Sequence, residues 1–333
     1  MPGTTPDEQI EKGRLFDEQN HPVVDQVVCA DSIATLNAGP EAWVDLVFAD
    51  PPFNIGYLYH GYNDSLKAED YLKFSEDWMA AVYRALKPNG SFYLAIGDDY
   101  AADLCVIARR KLGFNMRNWI IWHYTFGQQT QRMFAKSHTH VLYFTKEQKG
   151  FTFNADAVRV ASARQTTYND KRANAKGKLP DDTWYLRPQE TPEEFFAPDS
   201  DTWNISRVCG TFKEREGWHG CQMPIGVLNR IIMASSNAGD VVLDPFNGSG
   251  TTTVAAALLG RRYVGIDQSA QYVDHARKRL AGAQKAMKQK VELLENEGSA
   301  RELAEMATEA ATGDRHSRLL TVTDAFGRKR VSR

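Results

Sequence analysis

Short apolar runs alternating with helix-like stretches, on both sides of a long polar interruption, constrain this chain more than any other feature. VVCAD (27–31) and VDLVFAD (44–50) read as buried strands, each ending in an aspartate. YLKFSEDWMAAVYRAL (71–86) follows, with Tyr71, Phe74, Trp78, Val82 and Leu86 at helical spacing. Lys87-Pro88-Asn89-Gly90 is turn chemistry, SFYLAIG (91–97) another strand, and ADLCVIARRKLG (102–113) a helix stopped by Gly113. NWIIWHY (118–124) and HVLYFTK (140–146) are two more apolar runs. After the interruption, 223–236 reads as a helix, DVVLDPF (240–246) as a strand and TTTVAAALLG (251–260) as a helix. A strand ending at Asp267 and a helix from Tyr272 to Gln289 complete the pattern. Strands alternating with helices predict an α/β fold with a doubly wound, mostly parallel sheet.

The polar interruption, 150–222, carries scattered tryptophans, prolines and charges. Its stretch from Asn154 to Lys178 holds Arg159, Arg164, Lys171, Arg172, Lys176 and Lys178 against Asp156 and Asp170, a net charge of +4. The whole chain sums to −2, so a surface for a polyanion has to be a local patch. No apolar run reaches the ~18 residues of a membrane span, and the N-terminus has no secretory signal, so a cytoplasmic protein is expected. Cys29, Cys105, Cys209 and Cys221 form no C-x-x-C pair, which removes the usual zinc and dithiol sites. His123, His138 and His140 have no acidic residue near them in sequence at ligand spacing, and no metal site is expected.

Two motifs carry chemistry. Asp244-Pro245-Phe246-Asn247-Gly248-Ser249-Gly250-Thr251-Thr252 lies where a strand ends and a helix begins. Its glycines permit close backbone approach, and the helix start offers free N–H groups. Asp267 ends the next strand 23 residues after Asp244, where α/β folds hold ribose hydroxyls. No lysine follows Gly250, which argues against a phosphate-binding loop, and Asp244 would repel a pyrophosphate. A nucleoside cofactor without phosphate and with positive charge fits, and S-adenosyl-L-methionine is both. The second motif, Asp50-Pro51-Pro52-Phe53, follows a strand directly. A carboxylate beside rigid backbone carbonyls can accept both N–H bonds of an exocyclic base amine, whose lone pair is otherwise delocalised into the ring. Phe53 offers a stacking face for a base taken out of the helix. If the strands before the two motifs are neighbours, both open into one crevice.

These motifs resemble those of the amino-group DNA methyltransferases, which form N6-methyladenine or N4-methylcytosine. The order, catalytic motif first and cofactor motif last, resembles the permuted beta class. The resemblance implies a class I methyltransferase-like, Rossmann-like fold with an inserted target-recognition region. It implies a 1–24 N-terminal tail, a 25–150 catalytic half, a 151–222 recognition region, a 223–290 cofactor-binding half and a 291–333 charged tail. Asp50, Pro51, Pro52 and Phe53 are the implied catalytic residues. Asp31, Met223, Pro224, Asp244, Phe246, Asn247, Gly248, Gly250, Thr251 and Asp267 are the implied cofactor residues, with Met223 standing where many members carry lysine.

On the DNA side, Tyr57, Tyr59 and Tyr62 lie between Gly56 and Asp64, in a stretch that reads either as a mobile lid over a flipped base or as a surface loop. Arg164, Lys171, Arg172, Lys176 and Lys178 are expected to track phosphates. Trp184, Trp203, Arg207 and Trp218 are either core or contact. The resulting expectation is methylation of adenine N6 in duplex DNA. The alternatives are cytosine N4, a non-catalytic DNA-binding relative, or an RNA or free-nucleotide substrate. Aspartate at position 50 leans to adenine, since many cytosine-N4 enzymes place serine there. Candidate partners are duplex DNA, a second copy of the chain in a homodimer, and a cognate restriction endonuclease encoded nearby. Activity at the nucleoid and no membrane association are expected.

Overall fold

The computed structural model describes residues 14–59, 62–128, 131–132, 134–182 and 222–296. In chain order the elements are β1 (Gln26–Cys29), α1 (Ser32–Ala38), β2 (Val44–Ala49), β3 (Leu58–Tyr59), β4 (Tyr62–Asn63), α2 (Ala68–Ala85), β5 (Leu86–Ile96), α3 (Asp98–Val106), β6 (Asn115–Gln128) and β7 (Lys136–Thr145). Then follow α4 (Ala163–Thr166), α5 (Ile225–Ser235), β8 (Val241–Asp244), α6 (Thr251–Leu258), β9 (Arg262–Asp267) and α7 (Ala270–Asn296). Seven strands form one sheet in the order β1-β9-β8-β2-β5-β7-β6. The first five pair in parallel, and β7 and β6 are added antiparallel beyond β5. The sheet is therefore mostly parallel, as the alternation predicts.

β2 sits directly beside β8, with Leu46 opposite Val242 and Val47 opposite Leu243. From β8 the chain crosses through α6 to β9 on one side. From β2 it crosses through α2 to β5 on the other. The two crossovers leave in opposite directions, so a crevice opens beyond the carboxyl ends of β2 and β8. Alternate residues of each strand face opposite layers. Val47 and Ala49 join the core under α1, α2 and α3, whereas Leu46 and Phe48 join the core under α5, α6 and α7.

Several boundaries differ from the sequence expectation, for identifiable reasons. Lys87–Gly90 is a bulge inside β5, not a separate turn: Val44 faces Leu86 and the next pairing is Leu46 with Ser91. The helix expected at 102–113 starts at Asp98 and ends in a π turn, Ile107–Lys111, before Gly113 takes a left-handed φ of 84°. The N-terminal tail is shorter than 1–24, because Leu15 is buried in the core and Phe16 packs edge-on against Trp43 at 5.8 Å. The C-terminal tail also starts later than 291, since α7 continues to Asn296. Of the interruption, 151–182 is described. It forms a small lobe closed by a Val160–Lys178 bridge and fixed to α5, with Asn154 N donating to Ala234 O (2.6 Å) and Asn154 Nδ2 to Ser236 O (2.8 Å). Trp184, Trp203, Arg207, Trp218, Cys209 and Cys221 lie outside the described residues. No described helix is long and apolar enough to cross a membrane.

Trp78 of α2 ties the cofactor-type motif to the core. Its ring meets Phe92 edge-on at 5.9 Å and Phe246 edge-on at 5.2 Å, and it is 1% exposed. Its indole N–H has no hydrogen-bond partner among the described residues. Trp78→Ala is expected to destabilise the fold by about 3–5 kcal/mol, read by denaturant unfolding. Trp78→Phe removes the unpartnered N–H and keeps most of the packing, and is expected to cost less than half as much.

Candidate active site

The crevice holds a cavity of ≈ 570 Å³ whose wall includes Asp31, Asp50, Asp244 and Asp267. Each carboxylate arrives from a strand end or the loop directly after one. Asp31 caps α1, accepting from Ala34 N at 2.7 Å, and its other oxygen takes Gln268 Nε2 at 2.6 Å. Asp244 ends β8 and accepts from Phe246 N (3.0 Å) and Thr252 Oγ1 (2.6 Å). Asp267 ends β9 and accepts from Gly248 N (2.8 Å) and Ser269 N (2.8 Å). The glycine-rich loop is thus hung between two carboxylates by its own N–H groups. Gly250 precedes α6 with φ 77°, and a Cβ there would come within 2.9 Å of the Ala276 Cβ. Only glycine satisfies both the dihedral and the contact with α7.

Four acids around one cavity leave an electrostatic deficit. Burial, with the charge of Asp267 adding to it, raises the Asp244 carboxyl to about 7 against the opposing hydrogen bonds of Thr252 and Phe246. Burial also raises Asp267, against the bonds from Ser269 and Gly248. Asn247 adds a second unmet demand: its buried Nδ2 has no partner among the described residues. A ligand carrying positive charge and hydrogen-bonding groups would answer both. The residues therefore fit a cationic nucleoside such as S-adenosyl-L-methionine.

The cavity brings together most of the residues expected from sequence. Asp31, Asp50, Pro52, Met223, Asp244, Phe246, Asn247, Gly248, Thr251 and Asp267 all line it. Pro51, Phe53, Pro224 and Gly250 do not. Phe53 packs instead over the backbone of Gly97, where an added Cβ would stand 3.2 Å from its ring. Sequence reasoning missed Phe48, Phe74, Gln268 and Tyr272, which also line the cavity. Phe74 belongs to the apolar stripe of α2, where nothing separates a core residue from a wall residue. Gln268 had only its place after Asp267 to recommend it.

The DNA-side residues stand apart from the cavity wall. Tyr57 is exposed just before the short β3–β4 ribbon, which contains Tyr59 and Tyr62. The basic island is not a bare positive tract. Arg159 and Lys176 pair with Asp156, Arg164 and Arg172 with Asp170, and Lys178 with Asp181. These contacts hold the carboxyls of Asp156 and Asp170 below the usual range through hydrogen bonds to Lys176 and Arg172 respectively, together with their second partners Arg159 and Arg164. Lys171 alone of the five expected phosphate contacts has no ion pair among the described residues.

The histidines do gain an acidic neighbour, which their local sequence could not reveal. Asp98, brought in from the start of α3, lies 3.0 Å from His140 Nε2 and 3.2 Å from His138 Nε2. Three ligand-type groups therefore cluster. Trp119 nonetheless donates its indole N–H to His140 Nδ1 at 2.8 Å, which leaves the ring proton on Nε2, facing Asp98. A metal on Nε2 would need that proton on Nδ1, against a donor-only indole. Lys136 also reaches Asp98 at 3.4 Å. The cluster is a hydrogen-bonded hub joining β6, β7 and α3.

A family profile described as DNA methylase matches residues 44–278. The type II methyltransferase M.HpaI of Haemophilus parainfluenzae is 35% identical over 255 residues, which cover 77% of this chain and 74% of that protein. The DNA adenine methyltransferase YhdJ of Escherichia coli K12 is 31% identical, over 76% of this chain and 82% of its own. The crystal structure of TTHA0409 from Thermus thermophilus, complexed with S-adenosyl-L-methionine, is 26% identical. It superposes with a TM-score of 0.51 over 78% of this chain and 93% of its own.

Asp244 gives the cavity a pH signature. Its folded value of about 7 lies above the ordinary 3.8, so the folded apo chain holds a proton that the unfolded chain releases. This group's contribution to stability is greatest below the ordinary value and is lost as pH rises towards about 7. A cationic ligand favours the carboxylate. S-adenosyl-L-methionine affinity, measured by calorimetry, is therefore expected to be roughly tenfold weaker at pH 6 than at pH 8. Asp244→Asn is expected to flatten that dependence and weaken binding at pH 8.

Proposed function

The chain belongs to the DNA methylase family whose members modify adenine N6 or cytosine N4, using S-adenosyl-L-methionine, and from that premise we propose that it methylates the N6 amine of an adenine turned out of duplex DNA at a specific sequence. The observation that carries this reading is Asp50, delivered by β2 into the same cavity as Asp31, Asp244 and Asp267.

When bound, S-adenosyl-L-methionine supplies a methyl group made electrophilic by a sulfonium. The chain's own residues do the rest. Asp267 and Asp31 would hold the polar groups of the nucleoside, and Asp244 would face its positive charge. Asn247, whose Oδ1 already accepts from Thr253 Oγ1, offers its unpartnered Nδ2, and Met223 and Phe246 supply apolar wall. Asp50 would accept one N–H of the target amine and the carbonyl of Pro51 the other. This draws the nitrogen lone pair out of conjugation, so that it becomes the nucleophile. Phe53, fixed over Gly97, would stack on the base.

Aspartate at position 50 and the adenine specificity in the name of YhdJ support adenine. Cytosine N4 is the second reading, favoured by the breadth of the family itself. The domain division is proposed with it: a catalytic half, a recognition region between the halves, and a cofactor half. Tyr57 and Tyr59 are proposed to meet DNA near the flipped base. Lys171 is the strongest candidate for phosphate contact in the lobe, and Arg164, Arg172, Lys176 and Lys178 would exchange carboxylate for phosphate there. The type II designation of M.HpaI supports a cognate restriction endonuclease as a partner. A homodimer and activity at the nucleoid rest on the resemblance.

Unmethylated duplex DNA incubated with the protein and S-adenosyl-L-methionine is expected to yield N6-methyladenine by nucleoside mass spectrometry. N4-methylcytosine alone would overturn the base assignment. Asp50→Ala is expected to lower turnover at least about a thousandfold while leaving DNA binding within about threefold. Wild-type turnover in that variant would overturn the role given to Asp50.

A further inference from the structure

The Asp50-Pro51-Pro52-Phe53 segment faces an anchoring problem. Proline fixes φ but has no N–H, so two successive prolines cannot tie themselves down through backbone donors. Only their carbonyls can be held from outside. Tyr71, in the first turns of α2, meets this need. It is fully buried, and its hydroxyl donates to the carbonyl of Pro52 at 2.7 Å. Phenylalanine would fill the same space without placing a polar group in the core.

Tyr71 belongs to a wider brace. Its ring lies 4.4 Å from that of Tyr100 in α3. The Tyr100 hydroxyl accepts from Asn54 Nδ2 at 3.0 Å. Asn54 follows Phe53 directly and sits at φ 58°, a left-handed conformation that has to be held in place. Its side chain closes on Leu66, accepting from Leu66 N at 2.7 Å and donating to Leu66 O at 3.0 Å. The fully buried Asp64 accepts from Asn54 N at 2.7 Å and Ile55 N at 3.1 Å. The motif is thus held upstream by β2 in the sheet, at its centre by Tyr71, and downstream by Asn54.

We propose that Tyr71 is a positioning residue for methyl transfer. It holds the Pro52 carbonyl so that the preceding peptide units keep the Asp50 carboxylate and the Pro51 carbonyl aimed at one point. The proposal rests on the roles given above to Asp50 and Pro51. Tyr71 touches neither base nor cofactor in this scheme and acts through the orientation of the motif.

Tyr71→Phe removes one oxygen and tests the idea in the full-length protein. Single-turnover transfer from S-adenosyl-L-methionine to duplex DNA is expected to slow about ten- to hundredfold, the scale of a small misalignment at a reacting centre. Affinities for S-adenosyl-L-methionine and for DNA are expected to stay within about twofold. A wild-type transfer rate would overturn the proposal. So would a rate that falls only in step with cofactor affinity, because that marks general structural damage. Tyr100→Phe keeps the ring and removes the acceptor of Asn54. Combined with Tyr71→Phe it is expected to slow transfer by less than the product of the two single effects. Independent, multiplicative effects would overturn a shared brace. Asp50→Ala in the same assay separates the two levels. Activity retained there defeats the reading of the motif, whereas an inactive Asp50→Ala beside a fully active Tyr71→Phe defeats the brace alone.

Discussion

Parallel pairing between β2 and β8 decides where chemistry can happen in this chain. The two strands come from opposite ends of the sequence, and their crossovers depart to opposite sides of the sheet. No helix can cover the gap between the departing chains, so the carboxyl ends of both strands open into one crevice. Asp50 and Asp244 then share a wall without any long-range contact between their own side chains being needed. The polar segment between β7 and α5 enters and leaves on elements outside this pairing. The permuted order of motifs has the same origin: what matters is which strands are neighbours, and the sheet is indifferent to which is made first.

The site is assembled at a cost that its ligand can offset. Asp244 and Asp267 both lose solvation, and each commits lone pairs to holding the glycine-rich loop. That arrangement fixes the loop before any ligand arrives and leaves excess negative potential along the crevice wall. A cation is selected by the same feature that destabilises the empty cavity. Preorganisation and charge selection are here one property of two buried carboxylates.

Much of this was legible in the sequence because it is written in short-range signals. A strand ending in aspartate and followed by Gly248-Ser249-Gly250, or by Pro51-Pro52, keeps its meaning wherever it is found. The adjacency of β2 and β8 entered the sequence reading only as a condition for a shared crevice, and the sheet order supplies it. What the sequence hid are contacts between residues far apart in it. Asp98, just past the end of β5, reaches His138 and His140 on the neighbouring β7, Asn54 closes on Tyr100, and Phe74 turns from a helix stripe into a cavity wall. The basic island failed in the opposite way. Its charges were counted correctly, but Asp156, Asp170 and Asp181 fold back on it, and a sum of charges contains no geometry. The tail limits moved because Leu15 finds core partners that composition does not reveal, and because α7 runs on to Asn296.

One detail of the sheet's far edge reaches beyond the site. β6 is the terminal strand, and an open edge of this length is a template for pairing with another polypeptide. Here the lobe after β7 folds back along it: Ile121 N donates to Asp182 O at 2.8 Å, and Asn118 Nδ2 to Asp182 Oδ2 at 2.9 Å. Register shifts in the β6–β7 pairing, between Met116 and Asn118 and between His123 and Gln128, bend the strand itself. The segment after β7 therefore also covers part of the sheet edge. A change that unseats Asp182 would expose a sticky strand edge, and its first symptom would be loss of solubility, with the distant chemistry still intact.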